Sequence, residues 1–398
     1  MSRRSHVALL LAVAVAPVVV LAQECQVGQG LGASLLIPYF EVDTSSGSAI
    51  TTLFSVNNEN ASANLVRVVL WTDWGIPTLG FDVYLEPRDL QSFNVRDLFS
   101  GVLPATGVAT DLSAFPSCEG PLGPDAYGNP ALDSAERATL SAFHRGLPDP
   151  DSGLCAGEDH ADAVLRGYVT VDVVDQCSGV RLDKTFTPAD AAAPYFADAG
   201  ARIGIDSNVL WGDWFIVNPG QDFAQGAEAI PLWADAGQFN STDELTFYGR
   251  FYGYDAPDNR VPLPDLWSTR FLNGGPFTGG TQLVVWRDVG TPEADPIPCA
   301  STPSWRPLGE AFITARDEQG SNPVFLDSTN HFFLAAQRFD VGDLPIPYDF
   351  GRLQLGLADG PGLTNPRQAW VTTVMSASGR FSLGMAASAI NERCGTAP

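Results

Sequence analysis

Between Ala49 and Phe99 the chain alternates apolar runs rich in Val, Leu, Phe and Trp with Asn, Gly or Pro, roughly every eight to twelve residues. That rhythm suits antiparallel strands joined by short turns and little else. Thr51 to Val56 is the first expected strand of the stretch. Asn57-Asn58-Glu59-Asn60 follows as a turn, because Asn tolerates left-handed backbone and bonds to nearby amides. Leu65 to Trp71 is apolar on both faces apart from Arg67, which predicts a central strand. Phe81, Val83 and Leu85 alternate with Asp82 and Tyr84, the pattern of a half-buried strand, and Leu90 to Val95 supplies another short one.

The chain opens with Ser2-Arg3-Arg4, an apolar run from Val7 to Leu21, and Ala22. A charged start, a short apolar core and small residues before Gln23 predict a secretory signal over residues 1–22. No later run approaches the ~20 apolar residues of a spanning helix, so no stable membrane span is expected after cleavage. Export gives the six cysteines meaning: Cys25, Cys118, Cys155, Cys177, Cys299 and Cys394 are an even set in an oxidising compartment, expected to form disulfides. The expected location is secreted or cell-surface, with the periplasm as the other option. Against 46 Asp and Glu stand only 22 Lys and Arg, for a net charge of −24. Such a surface repels nucleic acid and anionic membranes, and neither is expected as a partner.

With 398 residues the chain exceeds the usual single core. The composition, 45% hydrophobic with 39 Gly, 30 Pro and 17% charged residues, fits short strands and long loops rather than disorder. The predicted fold is all-β: two antiparallel β-sandwich modules, Ig-like or jelly-roll-like, with a loop and short-helix insertion. Residues 23–185 form the first module, interrupted at about 100–165, and residues 186–398 form the second. Within the insertion, Asp133 and Glu136 make a capping box for a helix over Ser134 to His144, and a second helical piece is expected over Glu158 to Leu165. Tyr168 to Val174 then returns to the first sheet. Thr187-Pro188 has the form of a helix start. In the second module Leu245 to Tyr252 reads as a strand, and Ala369 to Met375 with Phe381 to Ala386 as a closing hairpin.

The chain carries no Gly-x-Ser-x-Gly elbow, no His-Glu-x-x-His helix and no phosphate-binding or dinucleotide loop. Its busiest titratable cluster joins Asp149, Asp151, Glu158, Asp159, His160 and Asp162. His160 there would be a base if a carboxylate oriented it. Asp149, Asp151 and Glu158 are the candidate metal ligands, and a structural calcium is the ion that such oxygens would hold, although the spacing is not that of an EF-hand. His144 and His160 with Cys118 and Cys155 would be a zinc alternative, at a spacing that matches no familiar closed site. No catalytic residue and no organic cofactor is assigned. Nine tryptophans invite a reading as sugar-stacking platforms, though most are expected to pack cores and rims. Tyr248, Phe251, Tyr252 and Tyr254 suggest an edge strand or interface.

Ile37-Pro38-Tyr39-Phe40-Glu41-Val42-Asp43, Thr52 to Asn58, Trp71-Thr72-Asp73-Trp74 and Phe81 to Leu85 together resemble an uncharacterised family of exported bacterial β-rich proteins, over about residues 35–104. The resemblance implies a bacterial secreted or surface protein and carries no activity. The expected function is therefore structural or adhesive, without catalysis, with self-association or a surface partner docking through edge strands. A carbohydrate-binding protein, with glycans as partners, is one alternative. A secreted carboxylate-based hydrolase is the other; it requires paired acids in a cleft with aromatic walls.

Overall fold

The structure, a computed structural model, describes residues 30–104, 115–118, 129–190, 195–196, 203–234, 246–252, 258–275, 277–289, 294–306, 308–319, 323–326, 331–357, 368–377 and 381–390. The expected signal, Cys25, Cys394 and Tyr254 lie outside these residues. The fold is all-β, built from antiparallel pairs in four main sheets.

Sheet I runs β10 (Ile230–Leu232), β1 (Ser34–Val42), β7 (Leu165–Val174), β3 (Asn64–Thr72), β4 (Pro77–Leu85). Every residue of β1, β3 and β4 is buried, so both faces of these strands are covered. This agrees with the run of β3, apolar on both faces apart from Arg67. It corrects the expectation for β4, whose Asp82 is not on a solvent face but is wholly buried against Arg67. Sheet II runs β5 (Leu90–Asn94), β2 (Thr51–Asn58), β8 (Leu210–Asn218), β9 (Phe223–Glu228). Sheet III runs β16 (Ala336–Asp340), β12 (Thr281–Arg287), β18 (Ala369–Ala377), β19 (Phe381–Ala386), with β18 and β19 forming the expected hairpin. Sheet IV runs β15 (Val324–Leu326), β14 (Phe312–Asp317), β17 (Phe350–Gly356), β11 (Leu266–Leu272), β20 (Ser388–Ala389). A small ladder joins β6 (Leu154–Cys155) to β13 (Ile297–Pro298).

Strand β1 touches β2 and β8 of sheet II and also β12 and β16 of sheet III, while β11 of sheet IV rests on β18. One continuous apolar cluster extends from Leu35 to Ala387. Strands β8, β9 and β10 come from beyond residue 186, yet they pair with β2 and β1 or extend that sheet, so hydrogen bonding crosses the expected domain boundary. Periodicity identifies a strand without naming its partner, and partners here are far apart in the chain.

The helix α2 (Ser134–His144) forms as its capping box predicts: Asp133 accepts from Ala135 N and Glu136 N, and Glu136 returns a bond to Asp133 N. It follows α1 (Val95–Phe99) and packs on β7 and β4. Gly146 ends it in left-handed backbone at φ +68°, where a Cβ would strike the backbone of Glu158 and Asp159.

Two local expectations are corrected. No helix forms over Glu158 to Leu165, because Asp73, Asp159 and Asp162 capture the amides of Glu158, Ala161 and Val164 and offer the backbone turns instead. At the expected helix start the Thr187 hydroxyl accepts the Ala189 amide at 3.3 Å and donates to Lys184 O, and the residues that would continue the helix, 191–194, lie outside the described residues. The aromatic run after Thr246 is no strand: Asp258 takes the Tyr248 amide, and Gly249–Tyr252 forms the short helix α3. Phe247, Tyr248 and Phe251 turn inward, with Phe247 stacked on Trp286 at 5.2 Å and the Tyr248 hydroxyl on the buried Asp172.

Ion pairs tie the sheets internally. Arg250 pairs with Asp288 at 3.1 Å, Arg260 with Asp206 at 3.2 Å, and Arg338 of β16 with Glu41 of β1 at 3.0 Å. Asp172 receives the hydroxyls of Tyr195 and Tyr248, each at 3.0 Å, and burial raises its carboxyl above the ordinary Asp range.

Candidate functional site

The acidic loop resolves into separate local roles. Asp149 Oδ1 accepts from Thr139 Oγ1 at 2.6 Å, and its Oδ2 accepts from Ser152 N at 2.8 Å and Oγ at 2.6 Å. Desolvation opposes these bonds, but together they hold its carboxyl below the ordinary value. Asp151 is exposed. Glu158 forms a two-pronged pair with Arg306, whose Nη2 donates to Oε1 at 2.9 Å, and also accepts from Trp74 Nε1 at 3.3 Å. Among the described residues no group of three or more His, Cys, Asp or Glu is arranged to hold a metal ion, so Asp149, Asp151 and Glu158 are not gathered into one.

The zinc alternative is overturned. Cys118 is bonded to Cys177 and Cys155 to Cys299 as disulfides. His144 is buried between Phe40 and Phe99, donating from Nδ1 to Arg166 O at 2.7 Å and accepting the Thr78 hydroxyl at Nε2 at 2.6 Å. Burial lowers its pKa to about 4.

His160 does meet a carboxylate, but from outside its own loop. Its Nε2 donates to Asp73 Oδ2 at 2.9 Å, while Asp73 Oδ1 accepts the Glu158 amide at 3.0 Å. Burial raises the Asp73 carboxyl in spite of His160 beside it. A base held by an acid is half of a nucleophilic site. Among the described residues no hydroxyl or thiol is hydrogen-bonded to His160 to complete one. Asp73 lies in the turn after β3, and nothing in the sequence around it points to a partner 87 residues away.

Of the nine tryptophans, Trp71, Trp74, Trp214, Trp267, Trp286, Trp305 and Trp370 are buried, Trp211 is half-buried and Trp233 is exposed. They form no exposed row. Several sheet edges are also occupied. Gly80 of β4 is bridged by Arg181, and β9 meets β19 where Gln225 donates to Ser382 Oγ at 2.7 Å.

Among the described residues, the face that stands open is the outer face of sheet IV, at its arginines and phenylalanines. Its inner face packs Trp267, Phe271, Ile313, Leu353 and Leu355 into the core, with Trp267 edge-on to Trp370 of β18 at 5.0 Å. Strand alternation then sends the intervening residues outward. Arg352 of β17 stands directly opposite Arg270 of β11 on one side and Arg316 of β14 on the other. All three are exposed and share one face, with guanidinium roots set at the ~4.8 Å spacing of strands. Two residues along, Ser268, Gln354, Thr314 and Phe325 form the next row, with Ser388 beside Ser268. Arg352 Nε donates to Ser268 Oγ, which fixes one guanidinium. An open groove of about 680 Å³ lies here, lined by Ser268, Arg270, Asp317, Glu318, Arg352 and Ser388. Phe312, Phe350 and Phe325 are exposed on the same sheet, the last at 70%.

The sequence pattern missed this site because the arginines are 36 to 82 residues apart and only strand register lines them up. Arginines in a row, with hydroxyls and ring faces beside them, can grip oxyanions through paired N–H donors and stack flat apolar surfaces. No family model, no curated protein and no solved structure matches this chain.

Proposed function

We propose that the chain is an exported secreted or cell-surface protein with a structural or adhesive role and no catalysis of its own, meeting its partner through the outer face of sheet IV. The arginine row on that face is the observation that carries the reading. The remaining features support it. Sheets I and II, and III and IV, read as two sandwiches joined where β1 touches β12 and β16. Two disulfides suit an extracellular protein, and among the described residues no helix is long and apolar enough to cross a membrane. Outside sheet IV, buried ion pairs such as Arg67–Asp82, Arg250–Asp288 and Arg260–Asp206 tie elements together. Docking through a face replaces docking through an edge, because edges such as those of β4 and β9 are already occupied.

The test is retention of the purified mature chain on surfaces coated with neutral polysaccharide, acidic polysaccharide, extracellular matrix protein or the chain itself. Turnover of chromogenic glycosides, esters and peptides is measured alongside. Retention without turnover is the expected result. Turnover without retention would replace the adhesive reading with the hydrolase.

A further inference from the structure

We infer that the sheet IV groove binds a linear acidic polysaccharide, with the Arg270–Arg352–Arg316 row holding its carboxylate or sulfate groups. The inference rests on the adhesive reading above and names the partner of that face.

The first argument is the cost of the arrangement. Like charges directly opposite one another across strands weaken a sheet. Here the same charge is placed opposite itself twice in succession, in a chain with only 22 basic residues. No acidic side chain pairs with any of the three arginines among the described residues. Arg352 keeps a bond to Ser268 Oγ, and Asp317 and Glu318, which line the same groove, offset the row's three positive charges only in part, so an anion laid across it relieves the repulsion.

The second argument is shape and chemistry. The row spans ~10 Å across three strands, and the next row lies ~6.7 Å along them, a scale suited to a narrow chain rather than a compact ion. Ser268 is buried and its hydroxyl is shared between Arg352 and Leu353 O, but beside the cations stand two neutral hydrogen-bonding groups, the exposed Ser388 hydroxyl and the half-buried Gln354 amide, and the exposed Phe325 ring. A sugar offers hydroxyls to the first and an apolar face to the last, while its acid groups meet the guanidiniums.

The third argument is overall charge. At a net −24, a second copy of this chain would bring its whole acidic surface against the first. A slender polymer presents only the charges that enter the groove. The surrounding acidity then keeps polyanions off the rest of the surface.

The test is fluorescence anisotropy of the full mature chain with labelled oligogalacturonate, which carries carboxylates, and a heparin-derived oligosaccharide, which carries sulfates. A neutral dextran oligomer and polyglutamate of matched charge are the comparisons. Binding of one or both acidic sugars, weakening with salt, is expected, and which of the two binds tells carboxylate from sulfate. The Arg270→Gln/Arg316→Gln variant should weaken binding by about tenfold or more, while Arg270→Lys/Arg316→Lys keeps part of it. Unchanged binding by the Gln variant would overturn the site. Equal binding of dextran, or polyglutamate binding as tightly as the sugars, would overturn the ligand class. If neither acidic sugar binds but the chain is retained on another coated surface, this inference fails alone. If no surface retains it, the adhesive reading fails too.

Discussion

Arg67 and Asp82 face each other across β3 and β4 with Nη1 and Oδ1 3.1 Å apart, and neither side chain reaches solvent. Asp82 also accepts the amides of Ser178 at 2.8 Å and Gly179 at 2.7 Å, so the pair pins the segment after β7 to the edge of sheet I. Arg67 Nη1 also donates to Gly179 O, while Nε and Nη2 have no hydrogen-bond partner among the described residues, so Asp82 supplies the charge that the guanidinium pairs with. Removing one member of such a pair strands a charge in the core. Asp82→Leu should therefore cost about 3–5 kcal/mol, while Arg67→Met/Asp82→Leu costs distinctly less. Urea unfolding at neutral pH measures both; equal losses would show that stranding the Arg67 charge is not what the single change costs.

His144 makes stability depend on pH. Its pKa falls from an ordinary 6.5 to about 4 in the folded chain because burial disfavours the imidazolium. The unfolded chain therefore binds the extra proton first. The contribution is fully present above pH 6.5 and is lost as pH falls from there through about 4. At about 1.4 kcal/mol per pKa unit the loss reaches the order of 3 kcal/mol. Melting curves across this range, compared with His144→Gln, should show the slope flatten in the variant.

The Cys155–Cys299 disulfide closes a span of 144 residues and lies on the β6–β13 ladder, with Cys155 paired to Ile297. Cross-linking positions so distant restricts the unfolded chain strongly. The Cys155→Ala/Cys299→Ala variant should lose about 2–4 kcal/mol in denaturant unfolding. An unchanged midpoint would mean that the ladder and core hold this junction by themselves.

Arg316 should behave in the opposite sense. It is exposed and stands opposite Arg352, so Arg316→Thr removes a like-charge contact and places a good strand former in β14. A gain of about 0.2–1 kcal/mol is expected at low salt, shrinking as salt screens the repulsion. Thermal unfolding at two salt concentrations reads it. A destabilised variant would make the row a structural feature rather than one kept at a cost to the fold.

Much of the local architecture was written in the chain. The α2 helix could be placed from Asp133 and Glu136 because a capping box is satisfied within four residues. Strands β3, β7 and the β18–β19 hairpin could be read because a period-two or doubly apolar run signals a strand whatever lies beside it. The run around Tyr248 misled the same reasoning, since a tertiary bond from Asp258 decided its backbone. Aromatic content shows that a segment will be buried and says nothing of its shape.

The site followed the other rule. His160 was visible as a base in need of a carboxylate, but Asp73 lies 87 residues away and reaches it only across packed loops. Arg270, Arg316 and Arg352 each look like an ordinary surface charge on a strand, and the register of three strands makes them one surface. By itself the sequence determined element type and the amount of apolar surface to be buried, because capping, alternation and turn chemistry act over a few residues. Tertiary structure alone decided which strands pair, which charges are sealed inside and which are aligned outside. Those outcomes depend on contacts between residues that the chain keeps far apart.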